Sequence, residues 1–324
     1  MKFSVVIPLY NKASYIDCSV QSVLSQSFTD FEVIVVDDGS SDRSAEIVKA
    51  IQDPRIRMVS QKNAGVSATR NLGISLARGE WVALLDADDW HHPDHLAHLV
   101  KAQAAWPEAD AVATDFVEIA DADGLWPPQW SAVVQTPEVE LITDLPMRWM
   151  IGPSVCSSSI AIRRERLEQM QPCFPPGESQ AEDLDFWFRL AEQTPIALAH
   201  APLVAYRIDV KESLTTTHLV IALPGCIERM QARALSGAMT PAQRDSALWF
   251  IAQHKLTLAR MALVSGERVE GLKWLLKGRH AASGKRWWLT AAMTFFFPRA
   301  LVKSWDRWRI SRKFLHTDIA DAGQ

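Results

Sequence analysis

The sequence lacks several of the patterns by which particular chemistries are recognised. Its four cysteines, Cys18, Cys156, Cys173 and Cys226, form no CxxC pair, so zinc-ribbon and thioredoxin-like sites have no support. We expect them to be free, buried thiols in a reducing compartment. A GxGxxG loop, a Walker phosphate loop and a GxSxG motif are also missing. The commonest signatures of dinucleotide binding, P-loop hydrolysis and serine esterases are therefore excluded.

Long apolar runs and an excess of positive charge are missing as well. The longest late apolar stretch, from Trp287 to Phe297, is far below the roughly 20 residues that span a bilayer. The first run, from Phe3 to Pro8, is too short for the apolar core of a signal peptide. A net charge of −4 argues against nucleic acid as a partner. We therefore expect a cytoplasmic protein, with a place at the inner face of the cell membrane as an open alternative.

What the sequence does contain is aspartate at the ends of two short apolar runs. Residues 32–36 lead into Asp37-Asp38-Gly39-Ser40, and residues 81–85 lead into Asp86-Ala87-Asp88-Asp89. Such runs are typical of buried parallel strands, and open α/β sheets bind ligands outside the carboxyl ends of their strands. Carboxylates gathered there repel one another unless a cation lies among them. The pattern predicts a divalent ion together with a nucleoside diphosphate.

The order of elements predicts the fold class. Strands and helices alternate as far as Ala105, which is typical of an α/β protein with a doubly wound, mostly parallel sheet. Residues 121–146 are rich in proline, tryptophan and aspartate and are predicted to be a loop insertion. From residue 219 onward the apolar spacing is helical. We therefore predict a sheet-containing domain, residues 1–218, and a helical C-terminal region, residues 219–324.

Five segments of the chain form an ordered set of motifs. They are VVIPLYN (5–11), VVDDGSSD (35–42), NAGVSATRNLG (63–73), LLDADD (84–89) and EDLDFWFRL (182–190). Together they resemble the family 2 glycosyltransferases, inverting enzymes with the Rossmann-like GT-A fold. The resemblance implies a catalytic domain over 1–218 with a C-terminal helical extension. It also implies transfer of a sugar from a nucleoside-diphosphate-sugar, with UDP the expected nucleotide, to a surface-polysaccharide or lipid-linked oligosaccharide acceptor.

The resemblance assigns the nucleobase end of the donor to the first two motifs. Pro8, Tyr10 and Asn11 match the loop near which the base packs in the family. The aspartate after the second strand receives a base or ribose group, and an ionised carboxylate suits a uracil N–H or a sugar hydroxyl. We favour Asp38 slightly over Asp37 for that contact.

The third motif and a late loop are expected to approach the donor. Gly65, Arg70 and Asn71 match the loop and helix start that do so in the family, and the fork of an arginine suits phosphate oxygens. The alternative for Arg70 is an ordinary surface position. The late loop carries Asp209 where many members have a histidine, so Arg207 could serve the phosphates instead.

The resemblance makes Asp86-Ala87-Asp88 the DxD-type motif of the family. It implies that Asp86 binds ribose or metal and that Asp88 binds the divalent ion, Mg²⁺ or Mn²⁺. The alternation of an extended segment lets both carboxylates point the same way. Asp89 could instead cap the following helix, because aspartate is a favoured N-cap.

The fifth motif supplies the expected catalytic base. By resemblance, Asp183 takes the proton from the acceptor hydroxyl as that oxygen attacks the anomeric carbon, and Glu182 is the second choice. The alternative is that both acids only favour a helix N-terminus. We expect Trp187 to lie in the core rather than to form a sugar platform.

Three further alternatives stay open at this stage. A nucleotidyltransferase also uses acids and Mg²⁺, but the first loop here is not glycine-rich. A catalytically silent nucleotide-sugar-binding subunit would not need both the DxD-type motif and Glu182-Asp183. His91 and His95 have ligand-like spacing, but no HExxH pattern accompanies them, so we predict a polar helix face rather than zinc.

The C-terminal segment 285–313 combines basic and aromatic residues. Between Arg279 and Lys313 only Asp306 opposes the many lysines and arginines, and tryptophan and phenylalanine are interleaved with them. This composition predicts peripheral contact with a membrane surface. The alternative is a tryptophan-rich surface that packs on the catalytic domain or on a second subunit.

Overall fold

The structure is a computed structural model that describes residues 1–121, 130, 136–178, 181–210, 223–305 and 307–308. The chain divides into two compact units, Met1–His218 and Leu219–Gln324, which we call the N-terminal unit and the C-terminal unit. Each is treated by itself.

One nine-stranded sheet forms the frame of the N-terminal unit. Its strands are β1 (Phe3–Leu9), β2 (Phe31–Asp37), β3 (Ile56–Ser60), β4 (Trp81–Leu84), β5 (Trp90–His91), β6 (Ala111–Ala120), β7 (Val139–Ile142), β8 (Ile160–Arg163) and β9 (Ile196–Ile208). Its helices are α1 (Ile16–Leu24), α2 (Ser44–Ala50), α3 (Val66–Leu76), α4 (His95–Ala105), α5 (Leu145–Trp149), α6 (Arg164–Gln169) and α7 (Glu182–Ala191).

The strand order confirms the predicted fold class and adds antiparallel strands to it. The order is β3-β2-β1-β4-β8-β6-β9-β5, with β7 on β9. The first four strands are all parallel, whereas β8 is antiparallel to both β4 and β6. The loops after β1, β2 and β4 therefore open at one edge, because the carboxyl ends of parallel strands meet there.

The segment predicted as a loop insertion, 121–146, contains a strand and the start of a helix, and its positions 122–129 and 131–135 lie outside the described residues. Strand β7 lies within it and pairs antiparallel with β9, from Val139 opposite Ala199 to Ile142 opposite Ile196. Helix α5 begins at Leu145, capped by the Asp144 carboxylate, which accepts from the N–H of Met147 at 3.1 Å. The prediction was wrong here because four residues carry too little periodicity to distinguish a strand from a loop.

The core of the N-terminal unit covers both faces of its central strands. Every residue of β2 and β4 is buried, which explains why these strands read as continuous apolar runs rather than as alternating ones. Trp187 of α7 is fully buried and touches Phe174 and Phe186. The expectation that this tryptophan belongs to the core is confirmed.

The histidines around α4 correct a second prediction. His91, His95 and His98 are fully buried, so the predicted polar helix face is wrong. The His95 ring lies 3.1 Å from the Thr114 hydroxyl and the His91 ring 2.8 Å from the Ser158 carbonyl. Burial lowers the pKa of His91 to about 4, so its imidazole is neutral and packs as a core side chain. Among the described residues no cluster of His, Cys, Asp or Glu could hold a metal ion by three protein side chains.

The C-terminal unit is helical, as its spacing predicts. Its helices are α8 (Gly225–Ser236), α9 (Pro241–Ser265), α10 (Arg268–Lys277) and α11 (Lys285–Phe296). A capping box between Thr240 and Gln243 begins α9, and Gly266, at φ +95°, ends it. Helices α9, α10 and α11 pack on a small apolar cluster built around Leu256 and Leu275.

Across the described residues, we find no helix with the length and apolar character that bilayer crossing requires. All four cysteines are free thiols, as expected, although only Cys173 and Cys226 are fully buried.

Candidate functional site

The acids of the second and fourth strands do come together at one edge of the sheet. Leu9 of β1 is in register with Asp37 of β2, and Val6 is in register with Leu84, immediately before the Asp86 turn. Within the turn after β4 itself, Asp89 is buried. Its pKa is raised well above the ordinary aspartate value, first by desolvation and then by the charges of Asp88 and Asp86.

Arg70 joins two of the motifs that the sequence singled out. One guanidinium nitrogen donates to Asp86 Oδ1 at 2.7 Å and another to Glu182 Oε1 at 2.8 Å. The Arg70 side chain is only 5% exposed, and its planar group lies over the Phe174 ring at 5.2 Å. It is therefore not an ordinary surface residue. In the structure its fork holds two carboxylates together.

Asp183 lies at the same point and forms no ion pair with a residue that the structure describes. Burial raises the pKa of Asp183, and the nearby positive charge of Arg70 partly opposes this rise. Its carboxylate accepts the N–H of Leu184 at 2.7 Å. The pKa of Glu182 is also raised by burial, but its carboxylate is held by Arg70. The two neighbouring acids therefore differ in that Arg70 is hydrogen-bonded to Glu182 and not to Asp183.

Asp88 carries a cationic partner that the motif analysis missed. Lys12, in the loop after β1, places its ammonium 2.6 Å from Asp88 Oδ2. The carboxylates of Asp86 and Asp88 are partly exposed, at 24% and 18%, and each binds a basic side chain through one oxygen only. Mg²⁺ is typically held by one or two carboxylates plus substrate phosphates. These two carboxylates therefore fit a divalent ion once a diphosphate supplies the other ligands.

The alternative proposed for Asp89, a helix cap, is wrong. Position N-cap of α4 belongs to Asp94. The Asp89 carboxylate instead accepts the backbone N–H of Arg207 at 2.9 Å and the hydroxyl of Ser158. It thus anchors β9 to the DxD-type turn, because a buried carboxylate must be hydrogen-bonded.

Arg207 also borders this turn. Its guanidinium donates to the Asp88 carbonyl at 3.0 Å and to the Asp121 carboxylate at 2.7 Å. Its charge lies 4.5 Å from the centre of the Tyr15 ring. The side chain is nearly buried, so Arg207 fixes the shape of the site. Asp209, where many family members have a histidine, is exposed and has φ +60°.

The aspartates after β2 organise the neighbouring loops. Asp38 accepts the backbone N–H groups of Ala64 and Gly65 at 2.8 and 2.9 Å, and the side-chain amide of Gln61 at 2.7 Å. Asp37 accepts the N–H of Ser40 at 3.1 Å. Both are buried. Gly65 adopts φ +88°, a conformation that suits glycine and sets the entry into α3.

The remaining residues expected to bind nucleotide differ in exposure. Tyr10 is 48% exposed, beside the buried Leu9 and the half-buried Pro8. Asn11 has φ +51°, and its side-chain oxygen accepts the N–H of Ser41 at 2.8 Å. Asn71 does not face this loop: it exchanges two hydrogen bonds with the backbone of Phe174, at 2.8 and 3.0 Å.

Two contributors were missed because no motif marks them. Ser158 lies in a turn of 3₁₀-helix before β8. It accepts the N–H of Asp86 at 3.0 Å and donates to Asp89, which joins two acids of the turn. The sequence did indicate that a cation is needed, because five acids at one edge repel one another. It did not indicate that Lys12 supplies this charge or which acid it pairs with.

Comparisons with known proteins agree with this geometry. The sequence profile of the family described as "Glycosyl transferase family 2" matches residues 4–170, about half of the chain. The chain is 40% identical over 121 residues to the succinoglycan biosynthesis protein ExoO of Rhizobium meliloti. That match covers 37% of this chain and 34% of the relative. This chain is also 34% identical over 184 residues to an uncharacterized glycosyltransferase of Nostoc. That second match covers 54% of this chain and 55% of the Nostoc protein.

These sequence relatives are longer than the segments matched. The matched segments cover 18% to 55% of the length of the first relatives found. Among solved structures, S. aureus TarS in complex with UDP-GlcNAc superimposes with a TM-score of 0.70 at 21% identity. That likeness covers 95% of this chain and 92% of the TarS chain, and it concerns the fold.

Proposed function

The chain belongs to the family 2 glycosyltransferases, and on this basis we propose that it transfers a sugar, with inversion, from a UDP-sugar to a saccharide acceptor. Support for UDP comes from the fold shared with TarS, a structure that contains UDP-GlcNAc. Support for a surface-polysaccharide or lipid-linked oligosaccharide acceptor comes from ExoO, a succinoglycan biosynthesis protein. We assign this activity to residues 1–218 and a supporting role to residues 219–324.

The observation that carries the proposal is the pair of contacts made by Arg70. Through them the DxD-type turn at Asp86 and the start of α7 at Glu182 are held at one guanidinium. The proposed position of the metal and diphosphate would thereby lie close to the proposed general base. If the acids at the N-terminus of α7 only stabilised the helix, they would not need a buried arginine that also pairs with the turn after β4.

The reaction follows from these positions. Asp183 accepts the proton of the acceptor hydroxyl as that oxygen forms its bond to the anomeric carbon. The bond from that carbon to the diphosphate oxygen breaks in the same displacement, and the electron pair leaves with the nucleoside diphosphate. A base contributes typically about 10²–10⁴-fold to such a rate. The raised pKa of Asp183 makes its carboxylate a stronger proton acceptor than an exposed aspartate.

Binding of the donor divides among the other residues. Tyr10 is exposed and can cover the base, and Asp37 or Asp38 can receive a base or ribose group. We assign Arg70, Arg207 and Asn71 mainly to holding the site in shape, because each of these side chains already donates a hydrogen bond to another residue of the protein. A bound Mg²⁺ or Mn²⁺ at Asp88 and Asp86 would neutralise charge on the leaving diphosphate.

Contact with a membrane remains part of the proposal. Trp288, Phe295 and Phe296 of α11 are 63%, 59% and 81% exposed. On the other side of the helix, Thr290 and Met293 are buried. One face thus packs on its own unit, and the other presents aromatic rings that would suit a lipid-linked acceptor's surroundings. Positions 306 and 309–313 of the basic segment lie outside the described residues.

The proposal is tested by a donor screen. Purified protein is incubated with UDP-, GDP-, CDP- and dTDP-sugars and Mn²⁺, and released nucleoside diphosphate is measured. We expect release from a UDP-sugar, accelerated by the right acceptor. No release and no calorimetric binding of any nucleotide-sugar would contradict the proposal. Formation of pyrophosphate from UTP and a sugar phosphate would instead establish a nucleotidyltransferase.

A further inference from the structure

The C-terminal unit contains a pocket of about 690 Å³ that the proposed activity does not use. It is lined by residues of α8, α9 and α10 and of the turn after α10. Three lining residues are cationic, Lys255, Lys277 and Arg279, and only one, Glu228, is acidic. Leu276, which is 59% exposed, and the half-buried Trp274 supply apolar wall.

Two cations of this pocket contact neutral groups of the protein. Within the part of the C-terminal unit that the structure describes, Lys255, Lys277 and Arg279 form no ion pair with a carboxylate. The Lys255 ammonium donates to the side-chain oxygen of Gln231, a neutral group. Lys277 lies 4.4 Å from the centre of the Trp274 ring, where its charge meets the ring face.

Two of these cations are close enough to disturb each other. The pKa of Lys255 is lowered, mainly because the side chain is half-buried and further because of the charge of Lys277. Like charges held together near a desolvated wall favour an anion between them, as acids at a sheet edge favour a cation. The pocket therefore has the charge and the volume for a small anionic group.

We propose that this pocket binds the phosphate group of a phosphate-bearing ligand through Lys255, Lys277 and Arg279. Arginine offers phosphate a planar fork, and lysines bind it as point charges. Trp274 and Leu276 give the carbon skeleton beside the phosphate an apolar surface. The phosphate can belong to a soluble sugar or polyol phosphate or to a lipid headgroup. That this ligand is the glycosyl acceptor rests on the proposed function.

The test uses the full chain and two probes, glycerol phosphate and phosphatidylcholine vesicles with or without phosphatidic acid. The double variant K255Q/K277Q removes two lining cations. The matched control is K273Q, because Lys273 lies on α10 with Lys277, pairs with Glu270 at 3.0 Å and is outside the pocket. We expect saturable phosphate binding that is at least about tenfold weaker in the double variant and unchanged in the control.

A second measurement follows a lysine of the pocket in the chain with its pocket intact. Lysines of the full chain are ¹³C-dimethylated, and the Lys255 resonance, identified with K255R, is followed through a pH titration. Bound phosphate should raise the pKa of Lys255, because an anion stabilises the ammonium form. An unchanged Lys255 titration at saturating glycerol phosphate and phosphatidic acid overturns the proposal.

The outcomes separate the two sources and the two proposals. Binding of glycerol phosphate identifies a soluble phosphate ester. Binding only to phosphatidic acid vesicles, lost in the double variant, identifies a lipid phosphate. Unchanged binding in the double variant, or no binding of either probe, shows that the pocket is not a phosphate site. UDP calorimetry on the same samples measures the donor site. An absence of UDP binding would therefore contradict the proposed function and not the phosphate pocket.

Discussion

The two units of the molecule differ in the partners of their charged side chains. In the N-terminal unit the buried Arg70 is shared by Asp86 and Glu182, and Lys12 is paired with Asp88. In the C-terminal unit the lysines of the pocket have a neutral amide and an aromatic ring as neighbours. The first site is thus assembled by its own ion pairs before any ligand arrives. In the pocket of the C-terminal unit, the proposed phosphate ligand would neutralise the charge of the lysines.

The sharpest test of the N-terminal site is removal of the base. Asp183→Asn should lower the rate of sugar transfer by about 10²–10⁴-fold, because the acceptor proton then has no positioned acceptor. UDP affinity, measured by calorimetry, should change little. The control is Asp17→Asn on the exposed face of α1. Near-normal turnover in Asp183→Asn would move the role of base to Glu182 or to another residue.

The same site should depend on pH in a defined direction. The pKa of Asp183 is raised by burial, and the base acts only when ionised. The transfer rate should therefore rise with pH through a midpoint above the ordinary aspartate value, and then level off. A rate profile in overlapping buffers measures this limb. A midpoint at or below the value of an exposed aspartate would show that the buried carboxyl does not control the rate.

Removing Arg70 should destabilise the ion-paired site of the N-terminal unit. Arg70→Met leaves Glu182 and Asp86 without their cation, and loss of one partner of a buried ion pair costs about 3–5 kcal/mol of unfolding free energy. Protonation of Glu182 relieves the cost, so the deficit should shrink as pH falls through the raised pKa of that carboxyl. Denaturant titrations at neutral and acidic pH measure it.

The control for Arg70 is Arg43→Met. Arg43 pairs with Glu46 at 3.5 Å, but both side chains are largely exposed, at 82% and 75%. Exposed pairs contribute about 0–1 kcal/mol. Equal losses in the two variants would mean that the Arg70 contacts do not organise the site.

The metal can be tested apart from catalysis. Asp88→Asn should reduce the enhancement of UDP binding by Mn²⁺ at least about tenfold, since even outer partners of a metal typically contribute 10–100-fold. Asp17→Asn again serves as the control. UDP affinity that is the same with Mn²⁺ and with EDTA, in the wild type as in the variant, would contradict a metal at this turn.

The outward face of α11 gives the smallest expected effect. Replacing Trp288, Phe295 and Phe296 by serine should weaken co-sedimentation with anionic vesicles by roughly fivefold or more, because exposed rings bury apolar area at the interface. Part of the binding should persist at high salt, which screens charge but not apolar burial. Val269→Ser, at an apolar position that is 73% exposed on α10, is the control. Unchanged sedimentation would assign these rings to protein packing.

The sequence predicted the features that depend on local pattern. Strand ends carrying Asp37 and Asp86 are visible because buried strands are short apolar runs and turns are polar. The start of α7 at Glu182 is visible because acids favour helix N-termini. The predicted alternation of strands and helices as far as Ala105 is confirmed, although the two-residue strand β5 was not predicted.

The sequence could not reveal contacts made across the fold. The Lys12–Asp88 pair joins residues 76 positions apart, and the Arg70–Glu182 pair joins residues 112 apart. Neither separation is encoded by a period. The prediction for the histidines was wrong for a different reason. His95 counts as polar in a helical pattern, but a neutral imidazole that is hydrogen-bonded to Thr114 is stable in a core.

The measurement that bears most directly on the central claim is the configuration of the product at the anomeric carbon. The protein is incubated with its UDP-sugar and acceptor, and the configuration of the new glycosidic bond is read from the anomeric coupling constant by ¹H NMR. A single displacement assisted by Asp183 predicts the configuration opposite to that of the donor, with loss of the signal in Asp183→Asn. A product that retains the donor's configuration would contradict the account of this site.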